Sequence, residues 1–312
     1  MVFSDSLADL TGHLYRDADL PQLMSTVAEW IAAAGRCGYD HIGELPHRIY
    51  ENLRGTHPVG ELVRVWKIGG ELAGIGIYLR FGNAFDLFVV PPLRGTAVER
   101  HMLRAGYHAT ADHPDRDNHD GDWVLTDAFD CDTARIGLLA ELGFERFRIW
   151  DHVNERGLAD PIEIGRAPRG FRIRSARLAD ADQLAAARNS AFGESWTGDL
   201  YRRAVMEKPG YLAEREIVAE APDGRIAAFA VFWVDDRNGL GHFEPFGTHG
   251  DFRRRGLARL IMLHAMQSMR ERGLKTVTVN HDAENTAAAR LYASLGFVKR
   301  HETYGYRRAV SA

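Results

Sequence analysis

Two stretches of this chain overlay without a gap. VLTDAFDCDTARIGLLAELGFERF (Val124 to Phe147) and VTVNHDAENTAAARLYASLGFVKR (Val277 to Arg300) share an opening Val, an Asp/Asn-Thr-Ala step and a closing Leu-Gly-Phe. GGELAGIGIYL (Gly69 to Leu79) pairs with DGRIAAFAVFW (Asp223 to Trp233) at nearly the same shift. A repeat of about 150 residues has the usual size of one domain, and missing it would misassign the whole fold. The chain is therefore expected to carry one domain over 1–153 and a second over 171–312. The segment NERGLADPIEIGRAPRG, 154–170, is rich in charge, Gly and Pro and falls where a linker is needed. With 312 residues, 45% of them hydrophobic, there is material for two cores.

Within the second copy, FRIRSAR reads as a strand and DADQLAAARNSAF as a helix with Asp180 or Asp182 near its start. EIVAEAPDGRIAAFAVFWV reads as a hairpin turned on Pro222-Asp223-Gly224, and GHFEPFGT as a strand that places His242, Glu244, Phe246 and Thr248 on one side. After it, Ala258, Ile261, Met262, Ala265, Met266 and Met269 recur at steps of three and four, the period of a buried helix face. TVTVN (Thr276 to Asn280) is a strand, and ENTAAARLYASLG a helix stopped by Gly296. Strands mixed with helices in this order give an α/β fold in which each copy has a central mixed sheet flanked by helices.

Between the GHFEPFGT strand and its helix lies a loop with three arginines and a glycine, Arg253-Arg254-Arg255-Gly256. A helix N-terminus presents unpaired N–H groups and the positive end of the macrodipole, so such a loop suits a phosphate. Small residues let the anion reach the amides, and arginines supply forked donors. An isolated RRRG would more often be a solvated surface run. Here Arg253-x-x-Gly256-x-Ala258 is followed by Asn285, Leu291-Tyr292 and Leu295-Gly296-Phe297. In that order these elements resemble the GNAT superfamily of N-acetyltransferases, over about Phe171 to Arg308. The two-copy arrangement is similar to tandem GNAT proteins.

The resemblance implies acetyl-coenzyme A as co-substrate. Phe246, Gly247 and Thr248 would offer backbone groups to pantetheine. Arg253, Arg254, Arg255, Gly256, Leu257 and Ala258 would hold the pyrophosphate, with Asn285 as a further cofactor contact. Tyr292 would protonate the departing thiolate, against the plainer reading of a tyrosine packed between helix and sheet. An ammonium has no lone pair with which to attack a thioester, so a base is also needed. Glu244 and His242 stand on the strand that leads into the phosphate loop and are the candidates. Glu194, Trp196 and Tyr201, in GESWTGDLY, lie where this family shapes its acceptor pocket, although an aromatic such as Trp196 more often anchors a loop.

The first copy departs from the pattern where chemistry would sit. Pro92-Leu93-Arg94-Gly95-Thr96-Ala97 keeps Gly95 and Ala97 but has Pro92 in place of the leading Arg. Asp132 stands for Asn285, and Leu139 for Tyr292. A leucine cannot donate a proton, so this copy is expected to be degenerate, with weak coenzyme A binding through backbone amides left open.

The net charge of −4 and a pI near 6.4 give no basic excess for nucleic acid. The N-terminus has acidic residues early and no apolar leader, and no apolar run is long enough to span a bilayer, so a cytoplasmic protein without a membrane partner is expected. Cys37 and Cys131 are too few for a disulfide framework and are expected as buried or half-buried thiols. ADHPDRDNHDGD, Ala111 to Asp122, has irregular spacing and reads as a polar loop; no metal is expected. The function expected is acetyl transfer to a primary amine of a small molecule by direct attack. A non-catalytic acyl-coenzyme A-binding or regulatory protein, or a transferase of a longer acyl group, stands as the alternative.

Overall fold

The computed structural model describes residues 7–55, 57–117 and 122–310. In chain order its strands are β1 (Leu10–Leu14), β2 (Val63–Ile68), β3 (Glu71–Arg80), β4 (Ala84–Val89), β5 (Trp123–Phe129), β6 (Glu145–Gly157), β7 (Arg172–Ser175), β8 (Glu216–Glu220), β9 (Ile226–Asp235), β10 (Leu240–Thr248), β11 (Thr276–Asp282) and β12 (Val298–Ala309). The helices are α1 (Leu20–Ala34), α2 (Glu44–Pro46), α3 (Val59–Leu62), α4 (Ala97–Ala111), α5 (Thr133–Glu141), α6 (Ala181–Phe192), α7 (Gly198–Tyr201), α8 (Leu257–Glu271) and α9 (Thr286–Ser294).

The chain packs as two units, and neither is a simple half. The first takes the described residues up to Asp40, Arg48–Val153, and the chain from Arg300 on. Its strands run in the order β1-β2-β3-β4-β5-β12-β6, so the last strand of the sequence lies between two strands of the amino-terminal half. That strand pairs antiparallel with β5, from Thr303↔Phe129 to Ala309↔Trp123. α4 packs on β3 and β4.

The second unit takes His41–His47 and Asn154–Lys299. Its strand order is β7-β8-β9-β10-β11, with the Asn154–Gly157 end of β6 beside β11. Residues 154–157, counted with the linker in the sequence, thus continue a strand. All pairs from β7 to β10 are antiparallel and β10 with β11 is parallel, which makes the sheet mixed. Successive strand residues face opposite sides of a sheet, and the core divides accordingly. Ile217 and Ala219 join a cluster under α8 and α9, whereas Val218 and Phe229 join one under α6 and α7. The three-and-four spacing read in the sequence is the buried face of α8, from Leu257 to Met269. The hairpin turn closes with Ala221 N–H donating to Arg225 O and Gly224 N–H to Ala221 O.

One ion pair in this unit has no access to water. Arg188 on α6 meets Glu216 on β8 at 3.1 Å with both side chains fully buried, and its guanidinium lies over the Tyr201 and Phe229 rings. The Tyr211 hydroxyl donates to the same carboxylate at 2.6 Å. Removing one member of a buried pair leaves the other charge without compensation. Arg188→Met is therefore expected to cost about 3–5 kcal/mol of stability, read by denaturant unfolding; a loss within about 0.5 kcal/mol, the range of ordinary surface substitutions, would count against a stabilising pair.

Cys37 and Cys131 correct the sequence reading: they form a disulfide, with Cα atoms 6.0 Å apart. The two are 94 residues apart in sequence, and only the tertiary fold brings them to bonding distance. Among the described residues, no helix is long and apolar enough to cross a membrane.

Candidate active site

The second unit opens where the sequence placed chemistry. β10 pairs with β11 only from Leu240↔Thr276 to Phe243↔Val279. Beyond Phe243 the two strands diverge, while β10 continues along β9 through Phe246↔Ala230, Gly247↔Phe229 and Thr248↔Ala228. The register shifts between Phe243 and Phe246, around a cis Glu244–Pro245 peptide. Pro245 has no N–H to give to a ladder, which suits the point where pairing stops. Along a strand, backbone N–H and C=O groups alternate between the two edges. The Phe246–Thr248 stretch therefore presents part of its backbone to the edge that β11 has left.

At the end of β10 a short 3-10 turn, Gly250–Phe252, leads to the arginines. Gly256 is the N-cap of α8 with φ +76°, and no side chain caps the helix. The first-turn amides of an α-helix have no partner within it, so the Gly256–Ala258 end offers bare donors. Arg253, Arg254 and Arg255 are exposed and make no ion pair among the described residues. Arg255 lies over the Phe252 ring, and Arg253 donates to Ala191 O at 3.4 Å. Asn285 is the N-cap of α9: its Oδ1 accepts from Ala288 N–H at 3.0 Å. That bond places α9 and, two turns on, Tyr292.

The Tyr292 ring is 4% exposed and sits among Phe246, His281 and Phe297. Its hydroxyl makes no hydrogen bond among the described residues. Burial first, and then the negative field of Glu244, push its pKa well above that of an ordinary phenol. The Glu244 carboxylate is partly exposed and lies 3.3 Å from His47 Nε2. Trp233 Nε1 donates to the Glu244 carbonyl at 2.6 Å. His242, the other base candidate, is fully buried instead of facing a ligand. Its Nε2 meets Glu44 Oε1 at 2.8 Å, its Nδ1 meets Thr278 Oγ1 at 2.8 Å, and its ring stacks on His41.

The three acceptor-pocket candidates are tied up structurally. Trp196 Nε1 donates to Glu194 at 2.9 Å, Trp196 packs edge-on against Tyr201, and Tyr201 is buried beside Glu216. Of the polar loop, Asn118–Gly121 lie outside the described residues. His57, His113 and Asp115 do bring ligand atoms within 4.8 Å of one another. However, His113 Nδ1 accepts the Asp115 N–H at 3.2 Å, which puts the neutral ring's proton on Nε2 and leaves no spare lone pair for an ion.

The first unit keeps the frame and fills it. Gly95 has φ +77°, matching Gly256, and Asp132 caps α5 as Asn285 caps α9. Yet Gly95 N–H donates to Glu99 Oε2 at 2.5 Å, so a carboxylate of the same chain sits where an anion would. Arg135 on α5 holds Glu99 at 2.8 Å and donates to Leu87 O at 2.8 Å; Tyr39 OH donates to Val89 O. Two carbonyls of β4 are thereby taken. Arg94 binds Asp132 at 2.6 Å and Cys37 O at 2.7 Å. Leu139, at the Tyr292 position, is buried core. Sequence reasoning missed Glu99 and Arg135, although a signal was there: the matching residues of the second copy are Leu260 and Ala288.

The model of the acetyltransferase (GNAT) family matches residues 181–297. A mycothiol acetyltransferase of Thermobispora bispora is 32% identical over 282 residues, which cover 82% of this chain and 86% of that protein. One from Salinispora arenicola is 28% identical over 309 residues, 93% of this chain and 94% of its own. Among solved structures, a tandem GNAT protein from the clavulanic acid biosynthesis pathway superposes with a TM-score of 0.65 at 16% identity, covering 97% of this chain and 99% of that one. A GCN5-related N-acetyltransferase from Sphaerobacter thermophilus gives 0.63 at 19% identity, with 97% and 96% covered. These last two establish the fold only. With a phosphate-type loop, a divergent strand pair and relatives that match along both halves, the chain belongs to the GNAT family of acetyltransferases, in its tandem form.

Proposed function

We propose that the second unit transfers an acetyl group from acetyl-coenzyme A to a primary amine of a small molecule by direct attack. The observation that carries this is the buried Tyr292 ring against Phe246 of β10, in the field of Glu244, where β10 leaves β11, with uncapped helix amides and three arginines without ion pairs at the strand's far end. The pyrophosphate lies on Arg253–Ala258 and the pantetheine along Phe246–Thr248. Glu244 takes a proton from the acceptor's ammonium group, and the freed lone pair attacks the thioester carbonyl carbon. The C–S bond then breaks, the Tyr292 hydroxyl gives its proton to the leaving sulfur, and the second proton shed by the acceptor nitrogen passes through solvent to restore the Tyr292 hydroxyl. The net proton released by the amine leaves from Glu244 to water. No covalent enzyme intermediate is needed.

The relatives' name, mycothiol acetyltransferase, makes unacetylated mycothiol the first acceptor to try, with amino sugars, aminoglycosides, polyamines and amino acids beside it. An acceptor that carries a thiol defeats thiol counting, so acetylated product is read by mass spectrometry. One acceptor should gain a single acetyl group in an enzyme-dependent way. Binding of acetyl-coenzyme A without turnover of any amine would favour the non-catalytic alternative. Faster turnover with propionyl- or succinyl-coenzyme A would move the reading to a longer acyl group.

A further inference from the structure

The segment His41-Ile42-Gly43-Glu44-Leu45-Pro46-His47 belongs to the amino-terminal half of the sequence, more than one hundred residues before the linker. It nevertheless packs as part of the second unit. Gly43 makes this approach possible: a Cβ there would stand 2.2 Å from Trp233 Cγ, well inside any real contact. Trp233 is the residue whose indole holds the Glu244 carbonyl.

Two side chains of this strap reach the residues of β10 that matter. Glu44 Oε1 meets His242 Nε2 at 2.8 Å, and both are buried. The Thr278 hydroxyl spends its one proton on Gly241 O, so His242 Nδ1 must donate to Thr278 Oγ1. The Nε2–Glu44 contact then holds a proton as well. This anchors the strap. Three residues on, His47 Nε2 stands 3.3 Å from Glu244 Oε1, and the His47 side chain is largely buried.

We infer that the strap His41–His47 is a working part of the acetyl-transfer site, in which His47 is the positioning residue that holds Glu244 ionised and aimed. This rests on the reading of Glu244 as the base. An ordinary imidazole is cationic over the range in which a carboxyl titrates, since the reference values are about 6.5 and 4.3. A cation at this distance favours the carboxylate and lowers the pH at which it becomes protonated. The other titratable groups on these elements are His41 and Glu44 of the strap, His242 of β10, His281 and Asp282 of β11, and Arg290 and Tyr292 of α9. Glu44 is bound to His242, Tyr292 stays neutral, and His47 is in contact with Glu244.

The test follows the carboxyl itself, in the full chain without ligand, by carbon NMR of labelled glutamate, with Glu244→Gln identifying the signal. In His47→Gln, which keeps a hydrogen-bonding side chain without charge, the midpoint should rise by about one pH unit, the low end for a partly exposed pair. The acid limb of kcat/KM, measured with acetyl-coenzyme A and unacetylated mycothiol, should rise with it, the loss approaching about tenfold only below both midpoints and staying small on the plateau. His47→Ala should give the same shift and a lower plateau. An unmoved midpoint in a folded His47→Gln protein would overturn the inference. A moved midpoint with an unmoved acid limb would overturn the catalytic role of the strap, and would do so by removing Glu244 as the base. No turnover in the parent, with the midpoint shift intact, would instead sink the acceptor reading and confine the strap to charge positioning.

Discussion

Tyr292→Phe should lower kcat by about two orders of magnitude, the usual loss for a missing general acid, while the affinity for acetyl-coenzyme A stays near that of the parent. The substitution removes one oxygen and keeps the ring that packs on Phe246, His281 and Phe297, so the fold has no reason to change. The sign of the pH dependence also follows. The proposed general acid is the protonated phenol, and burial with the Glu244 charge raises its pKa, so that form persists through the whole range below pH 10. No alkaline loss of activity below that point should come from Tyr292. A phenol held this way is a weak acid, and its contribution is a hydrogen bond that becomes a proton transfer only as charge builds on the sulfur. Steady-state rates at saturating substrates, with calorimetry for the cofactor, separate the outcomes. An unchanged kcat would return Tyr292 to packing.

Gly256→Glu should weaken acetyl-coenzyme A binding by roughly 10²-fold or more, and turnover at limiting cofactor with it. Gly256 caps α8 in the left-handed region, and open space surrounds the position of its missing Cβ. A glutamate there points a negative charge into the place proposed for the pyrophosphate. At an effective dielectric of about 20 and 4 Å, two unit charges repel by about 4 kcal/mol, and exposure reduces this to a loss of roughly 10²-fold or more. Positive φ adds backbone strain, which Gly256→Ala reports without the charge. Calorimetry on the parent should find one cofactor per chain, because Glu99, Arg135 and Tyr39 already occupy the matching donors and acceptors of the first unit. If Gly256→Glu still binds one equivalent with parental affinity, the first unit is the one that holds it.

What the sequence made legible was local or repeated. The duplication, the buried stripe of α8, the hairpin at Pro222–Gly224 and the glycine loop all depend on neighbours within a few residues or on two copies compared side by side. Tyr292 came with them because it sits at a fixed distance from Asn285, whose cap positions the helix. His242 and Glu244 were read as equals from strand alternation. A strand pattern cannot tell that one of them meets a buried carboxylate from residue 44, because that contact spans 198 residues. The Cys37–Cys131 bond and the Glu99–Arg135 plug were hidden for the same reason. The plug alone left a trace, as charges at positions where the sister copy has Leu and Ala.

The place of β12 bears on how this molecule comes into being. Its residues from Arg300 onward are synthesised well after the rest of the first unit, and they fill a gap between β5 and β6. Domains commonly fold in the order in which they emerge. Here the first unit must wait with two unpaired strand edges until β12 has been made, and unpaired edges invite association with other chains. A gene cut between residues 153 and 171 would therefore yield an amino-terminal piece that lacks a central strand and a carboxy-terminal piece that carries a strand with nowhere to go. Co-expression of the two pieces, and neither alone, is the route by which a divided version of this protein should become soluble.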